Sequence, residues 1–287
     1  MKPFMGIDMT TDKKNETFNG DHFLVAKPSA AMAQSFEKSF EKAEETVERS
    51  KLPRVFRILQ FISGFVAIAL ANGILKSLSG EDSVTLSEAY QNAAWLFWVL
   101  GVCLLIWLIL KLISVKKEKT VLESDESTHT LSNLDKLCDS IYAELGVPTD
   151  AKEVDILSFF YKVKDGEIKV QEKAFQTAPY LNPVFRIYAD TENLYLTNLE
   201  GKYAFPRSSL SAIRTVKKSI RIEEWNKEEP CNKGVYKQYK LSTDSYGCVH
   251  CKCYHILEID CDGTLWGIYF PSYELPVFEA VTGLHAQ

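Results

Sequence analysis

The chain has 287 residues, of which 46% are hydrophobic and 25% are charged. This composition excludes a wholly disordered chain and a collagen-like one. A formal net charge of −5, without a basic stripe interleaved with aromatic residues, argues against nucleic acid as a partner.

The first part of the chain divides near Pro28. Residues 1–28 mix polar groups, glycine and isolated apolar residues without a helix or strand period, which predicts a disordered tail. Across 29–54, apolar residues recur at steps of three and four, which predicts an amphipathic juxtamembrane helix. Its stripe over 33–47 is a candidate surface for self-association or a protein partner, and a solvated helix is the alternative. Pro53 predicts a bend after it.

Two uncharged apolar runs follow, "LQFISGFVAIALANGIL" and "AWLFWVLGVCLLIWLIL". With their flanking residues, both runs are long enough to cross the hydrocarbon core of a bilayer. We therefore expect transmembrane helices at 55–78 and 93–114, joined by a short external loop at 79–92. The first run lies too far from the start of the chain to be a cleaved signal peptide.

Charge around the two runs predicts their orientation. The basic residues lie on the outer flanks of the pair, at Arg49, Lys51, Arg54, Arg57, Lys116, Lys117 and Lys119. The loop between the runs has no basic residue and carries Glu81, Asp82 and Glu88. Because basic flanks stay on the cytosolic side, the sequence predicts a multi-pass protein of the cell membrane with both termini cytoplasmic. The lipid bilayer is then its first partner, and the two helices are a second candidate surface for self-association.

The remaining chain changes period. We expect a linker at 115–129, an amphipathic helix at 130–146 and a β-rich domain at 150–287. The strand candidates alternate apolar and polar residues and are "ILSFFYKV", "EIKVQ", "VFRIYA", "LYLTN", "KYAF", "SIRIEEW", "VYKQYKL", "CYHILEI" and "TLWGIYF". Turn signals include Asp165-Gly166, Glu200-Gly201 and Asp262-Gly263. The predicted fold is a two-helix transmembrane hairpin plus a cytosolic α+β domain, an antiparallel curled sheet or small barrel with a C-terminal helix.

The run "FRIYADTENLYLTNLEGKYAFPRSSLSAIRTV", followed by "TLWGIYF" and a terminal helix, carries a resemblance to a known family. Over about 155–285, this pattern resembles the pleckstrin-homology (PH)-like domains attached to transmembrane helices in many bacterial membrane proteins. It departs from that pattern by having nine strand candidates where seven are expected. The resemblance implies a binding or scaffolding module and transfers no catalytic residue.

Basic residues in one strand-turn-strand region form the first candidate site: Lys202, Arg207, Arg214, Lys217, Lys218 and Arg221. Beside an anionic leaflet, such residues bind lipid head groups or another anionic ligand. A solvated face balanced by Glu223 and Glu224 is the alternative.

The stretch "CVHCKCYH" is the second candidate site, because thiols and imidazoles are the ligands of zinc. A zinc site would use Cys248, Cys251, Cys253 and His255. If "VYKQYKL" pairs with "CYHILEI", Cys231 and Cys261 fall too far away to join it. Buried thiols without metal are the favoured interpretation, since Cys251, Cys253 and His255 are expected to share a strand face with apolar residues. Reversible thiol chemistry is a further alternative.

The sequence contains no Gly-rich phosphate loop, nucleophile-elbow serine or His-Glu-x-x-His motif. It therefore favours a membrane-anchored binding or scaffolding protein without a cofactor over an enzyme. Its expected ligand is a protein partner or anionic lipid. A membrane-attached zinc or thiol-redox sensor is the main alternative, and a hydrolase is a distant third.

Overall fold

A computed structural model describes residues 1–10, 19–79, 85–158, 160–165, 167–170, 184–222, 225, 227–244 and 247–287. These residues form two compact units. The sheet unit consists of Met1–Ala33 and Cys138–Gln287, and the helical unit consists of Gln34–Leu137.

The helical unit is built from long helices. They are most of α1 (Ala30–Ser50), α2 (Arg54–Ser79), α3 (Leu86–Leu122) and the first part of α4 (Asp125–Glu144). Pro53 lies between α1 and α2, where the helix is interrupted. Small residues let α2 and α3 approach closely: a side chain at Gly64 would meet the Trp107 ring at 3.0 Å, and Ala67 is buried.

Two segments, Arg54–Ser79 and Tyr90–Leu122, are long and apolar enough to cross a membrane. Only 11% and 6% of their most apolar windows are buried, whereas the core helix of a soluble protein is mostly buried. Large apolar side chains accordingly lie exposed along both helices, among them Phe61, Phe65, Ile68, Trp95 and Trp98.

The predicted linker at 115–129 is wrong, because most of it is helical. Helix α3 continues to Leu122, and α4 already begins at Asp125. The run "KKEKTVL" contains no glycine or proline, so nothing in it stops α3. Ser124 starts the next helix, since its side chain accepts a hydrogen bond from the Ser127 backbone N–H.

The predicted external loop at 79–92 is shorter than expected on its C-terminal side. Helix α3 begins at Leu86 behind a capping box, in which the Thr85 and Glu88 side chains each bond the other's backbone N–H. Residues 80–84 lie outside the described residues. The α3 backbone is non-helical at Ala93, where the second span was expected to start.

The sheet unit contains fifteen short strands in the described residues. They are β1 (Lys2–Pro3), β2 (Ile7–Asp8), β3 (Leu24–Ala26), β4 (Lys152–Asp155), β5 (Phe160–Lys164), β6 (Glu167–Val170), β7 (Val184–Ala189), β8 (Asn193–Thr197), β9 (Lys202–Pro206), β10 (Leu210–Val216), β11 (Ile220–Ile222), β12 (Ser242–Thr243), β13 (Val249–Cys251), β14 (Tyr254–Cys261) and β15 (Thr264–Pro271). A 3-10 turn (Ser272–Glu274) and helix α5 (Leu275–Thr282) follow.

These strands form four sheets in the orders β3-β9-β8-β7-β4, β1-β15-β14-β10, β11-β13-β12 and β2-β5-β6. In the described part of the chain they do not form a closed barrel, so the small-barrel alternative is not observed. Strands β14 and β15 are buried on both faces. Leu257 and Phe270 pack in a first core with α5, whereas Ile256 and Tyr269 pack in a second core with β11 and β13.

The prediction of a disordered tail at 1–28 is wrong for residues 1–10 and 19–28. Strand β1 pairs in parallel with β15, β2 with β5, and β3 pairs antiparallel with β9. Phe4 and Phe23 are buried in the first core, where both contact Phe205. Strands of two or three residues are too short to show a period in the sequence, which is why the pattern hid them.

The strand predicted from "VYKQYKL" is also wrong. Gly234–Tyr239 forms a 3-10 helix instead, ended by Lys240 in the left-handed conformation. The turn Asp262-Gly263 is confirmed: both residues have positive φ, 51° and 73°, as a two-residue hairpin turn requires. Gly166 of another predicted turn lies outside the described residues.

Candidate functional site

A buried cluster of charged side chains lies where β4, the 3-10 turn before α5 and the segment around Lys227 meet. The Lys227 ammonium lies 2.7 Å from Glu274 Oε1 and 3.4 Å from Asp155 Oδ2. The Tyr273 hydroxyl donates to the same Asp155 oxygen over 2.7 Å. The Asp155 backbone N–H donates to Glu274 over 3.0 Å, so the cluster is linked by backbone as well as side chains.

The cluster holds two carboxylates and one ammonium in a nearly solvent-free position. The side chains of Asp155, Glu274 and Lys227 are 1%, 4% and 11% exposed. Burial, reinforced by the Asp155 charge, raises the pKa of Glu274 to about 7 against the opposing effect of Lys227. Burial alone lowers the pKa of Lys227, but the two carboxylates outweigh it and the pKa is raised. Glu274 therefore exchanges a proton near neutral pH while Lys227 stays charged.

The Asp155 carboxylate is only half satisfied. Its Oδ1 is buried and has no hydrogen-bond partner among the described residues, although Oδ2 has two. A buried acceptor without a partner costs about 1–3 kcal/mol. An unpaired buried acceptor in a native protein calls for a physical explanation, and a role in binding a ligand or an ion is one such explanation.

Aromatic rings form one side of the cluster. Trp225, Tyr236 and Tyr273 contact one another edge to face, with centroids 4.9, 5.1 and 6.0 Å apart. The Lys227 ammonium lies 5.8 Å from the centre of the Tyr273 ring. Electron-rich ring faces beside carboxylates attract cations, so the protein's own ammonium occupies an environment suited to a positive charge.

An open groove of about 700 Å³ lies over this cluster. Its charged lining comprises four acidic and two basic residues, and the remainder is mostly aromatic or apolar. The lining residues are Lys152, Glu153, Lys227, Glu228, Glu229, Val235, Tyr236, Gln238, Tyr239, Tyr273, Glu274, Pro276 and Val277. Glu153 pairs with Arg186 and Glu274 pairs with Lys227, each over 2.7 Å, so Glu228 and Glu229 are the lining carboxylates that make the groove complementary to a cationic ligand.

Sequence reasoning missed this site. One signal was present: Asp155 and Glu274 each stand alone in an apolar run, "VDILSFF" and "SYELPVF", and a carboxylate in such a run needs a buried partner. The identity of that partner was hidden, because Lys227 lies in the polar stretch "EEWNKEEP". Residues 223, 224 and 226 of this stretch lie outside the described residues.

The predicted basic residues are distributed over three sheets, and several have partners of their own. Lys202 on β9 lies 4.5 Å from the Tyr195 ring centre. The Arg207 guanidinium donates to the carbonyls of Val281 and Thr282 at the end of α5. These contacts assign a local packing role to both side chains, beside any role in binding an anion.

The other four basic residues lie on or next to β10 and β11. Arg214 pairs with Glu258 on β14 over 2.7 Å, and Arg221 pairs with Asp244 over 3.0 Å. Lys217 and Lys218 lie exposed in the connection between β10 and β11. Glu223 and Glu224, named as the balancing charges, lie outside the described residues. Lys217 and Lys218, like Arg214, therefore lie at the surface, as an anion site requires.

The cysteine stretch is not a continuous strand, because the chain bends at Lys252 and Cys253 between β13 and β14. Strand β14 pairs with β10 and β15, so the expected hairpin between "VYKQYKL" and "CYHILEI" is absent from the described residues. The bend places Cys251 in the second core, opposite the face of Leu257 and Ile259. The expected common face for Cys251, Cys253 and His255 is therefore wrong.

Each predicted zinc ligand has its own surroundings. Cys248 Sγ accepts a 2.9 Å hydrogen bond from Arg221, and Cys251 Sγ lies 2.8 Å from Ser272 Oγ. Burial raises the pKa of the Cys253 thiol, and burial lowers the pKa of His255, which stacks on Phe270. Among the described residues, no three of the four predicted ligands form a group with ligand atoms within 4.8 Å of one another.

Comparisons of the chain with protein-family models, curated proteins and solved structures found no match.

Proposed function

We propose that this chain is a membrane-anchored binding protein whose sheet unit recognises a basic segment of a partner protein. The observation that carries the proposal is the groove over Lys227 and Glu274, in which carboxylates outnumber ammonium groups and tyrosines supply ring faces. In this proposal α2 and α3 cross the cell membrane, and both termini lie in the cytoplasm.

Three further features support a binding role. The acceptor Asp155 Oδ1 lies buried without a partner among the described residues, and Glu274 titrates near neutral pH. The first core is enclosed by two sheets and α5, an arrangement that supports the resemblance to PH-like domains. That the sheet unit is a PH-like domain is therefore part of the proposal. Binding of anionic lipid at Lys217 and Lys218 is the competing outcome of the test below.

The groove is tested by binding of a fluorescently labelled oligolysine peptide to the full chain in nanodiscs of neutral lipid. We expect the double change Glu228→Gln and Glu229→Gln to weaken binding by about three- to tenfold, because each partly screened charge contributes up to about 1 kcal/mol. The matched control is Glu192→Gln with Glu200→Gln, which removes the same charge from two turns outside the groove.

Equal weakening by both double variants would show that only net charge matters and would contradict the groove. Binding of the full chain to anionic but not neutral vesicles, lost on Lys217→Glu with Lys218→Glu, would favour the lipid alternative. The peptide and the vesicles thus separate the two classes of ligand.

Membrane topology is tested by thiol labelling of intact cells with an impermeant maleimide. We expect Ser87→Cys, near the start of α3, to react from outside, and the control Asp135→Cys on α4 to react only after lysis. Both positions are exposed, so access to the reagent depends on the side of the membrane. External labelling at position 135 would contradict cytoplasmic termini.

A further inference from the structure

Three zinc-type ligands converge at the β14–β15 hairpin turn, away from the groove. His22 Nε2 lies 3.8 Å from Asp262 Oδ2, and Cys261 Sγ lies 3.7 Å from the same oxygen. All three ligand atoms lie within 4.8 Å of one another. His22 comes from the 3-10 turn Asn19–Phe23, so the group joins the N-terminal segment to a hairpin more than two hundred residues later.

The separations fit a tetrahedral zinc ion. Bonds of about 2.3 Å to sulfur and about 2.0–2.2 Å to nitrogen and oxygen place neighbouring ligand atoms roughly 3.3–3.7 Å apart at tetrahedral angles. The Cys261–Asp262 separation of 3.7 Å lies at the upper end of this range, and the His22–Asp262 separation of 3.8 Å exceeds it by about 0.1 Å. Thiolate and imidazole ligands select zinc over magnesium and calcium, which prefer oxygen ligands throughout.

The ligands are held in place before any metal binds. The His22 ring stacks on Trp266 at 5.1 Å with an interplanar angle of 15°, and its edge meets Phe23 at 4.8 Å. Trp266 and Phe23 are both buried in the first core, so they orient the imidazole. The hairpin turn, with positive φ at Asp262 and Gly263, sets the backbone positions of the other two ligands.

The group is also accessible. The His22 and Asp262 side chains are 43% and 82% exposed, and Cys261 is half-buried. Three protein ligands leave the fourth coordination position of zinc to a water molecule.

We propose that His22, Cys261 and Asp262 bind a Zn²⁺ ion and thereby fasten the N-terminal segment to the β14–β15 hairpin. The Cys261 thiol releases its proton to solvent as Sγ bonds the ion, and the imidazole binds through Nε2. This site differs from the zinc site expected at Cys248, Cys251, Cys253 and His255, and it does not depend on the proposed binding groove.

The test is a titration of the full chain, purified in detergent with a non-thiol reductant, with Zn²⁺ against a chromophoric chelator. We expect one zinc per chain. Cys261→Ser and Asp262→Asn should each weaken zinc binding at least about tenfold, because loss of an outer-shell partner alone costs about 10- to 100-fold. Asn tolerates positive φ, and Asp262 is largely exposed, so Asp262→Asn should keep the fold.

Titration with Co²⁺ gives a second readout, a thiolate-to-cobalt absorption band that should disappear in Cys261→Ser. The matched controls are Cys253→Ser and His285→Gln, which should leave both metals' binding unchanged. Loss of binding in Cys248→Ser with Cys251→Ser but not in Asp262→Asn would overturn the proposal in favour of the cysteine stretch. Weakening by His285→Gln equal to that by His22→Gln would reduce it to unspecific surface binding.

Discussion

The sheet unit buries its large apolar side chains, whereas the helical unit leaves many of its own exposed. In the sheet unit, Phe4, Phe185 and Phe205 are fully buried, whereas in the helical unit Phe61 and Trp98 are 75% and 69% exposed. Apolar side chains therefore pack against other protein atoms in the sheet unit and lie on the outside of the helical unit. An apolar surface of this extent is unfavourable in water and is the expected surface of a helix in lipid, which supports the proposed membrane location.

Ion pairs differ between the units in the same way. Lys227–Glu274 in the sheet unit and Lys51–Glu48 in the helical unit have the same separation, 2.7 Å. The first pair is buried, whereas the second is 44% and 55% exposed. The charges of the first pair therefore influence each other's protonation inside a packed core, whereas solvent screens the attraction between the charges of the second pair.

The largest expected effect separates the two kinds of apolar contact. Phe4→Ala should destabilise the sheet unit by about 3–5 kcal/mol, because Phe4 packs against four buried aromatic rings. Phe61→Ala should leave this unit unchanged. The measurement is pulse labelling of the buried Cys251 thiol against denaturant, with the full chain in detergent. A comparable loss of sheet-unit stability in both variants would contradict this difference between the units.

The next effect concerns pH. The folded-state pKa of Glu274, about 7, lies above its ordinary 4.5, so folding favours the protonated form. The resulting stabilisation is complete below about pH 4.5 and is lost as the pH rises to about 7, by up to about 3 kcal/mol. The raised pKa of Lys227 contributes stability throughout this window, because it is lost only at higher pH.

Glu274→Gln should remove this dependence, as measured by Cys251 labelling between pH 4.5 and 8. The control is Glu48→Gln. Its hydrogen bond and ion pair with Lys51 lower the pKa of the exposed Glu48, which gives the opposite sign, and solvent screening should leave the sheet unit's profile unchanged. An unaltered profile in Glu274→Gln would assign the pH dependence to another group.

The smallest effect distinguishes neighbouring thiols. Cys251→Ala should cost about 1–2 kcal/mol, because Cys251 is fully buried and its loss leaves the Ser272 hydroxyl with one partner fewer. Cys253→Ala, at a half-buried bend, and Cys103→Ala, on α3, should each cost less. Since the change removes Cys251 itself, the readout here is the near-ultraviolet circular dichroism of thermal unfolding. Equal losses at Cys251 and Cys253 would contradict the expectation that their different burial sets the cost.

The sequence alone predicted those features that depend on neighbouring residues. Helices α2 and α3 each contain an uninterrupted apolar run, and the length of such a run is a local property. Strands β7, β8 and β9 follow a period of two, and the Asp262-Gly263 turn follows from backbone sterics at two adjacent residues.

The tertiary structure decided what depends on distant residues. The sequence of β14 predicts a strand with one buried face. Only its position between two cores explains why Ile256 and Leu257 are both buried. The residues around Phe4 show no helix or strand period. The position of Phe4 in the core depends on contacts with rings from β7 and β9. Lys227, Asp155 and Glu274 meet because β4 and the 3-10 turn before α5 pack near the same segment. Long-range packing sets these contacts, and local sequence patterns do not record it.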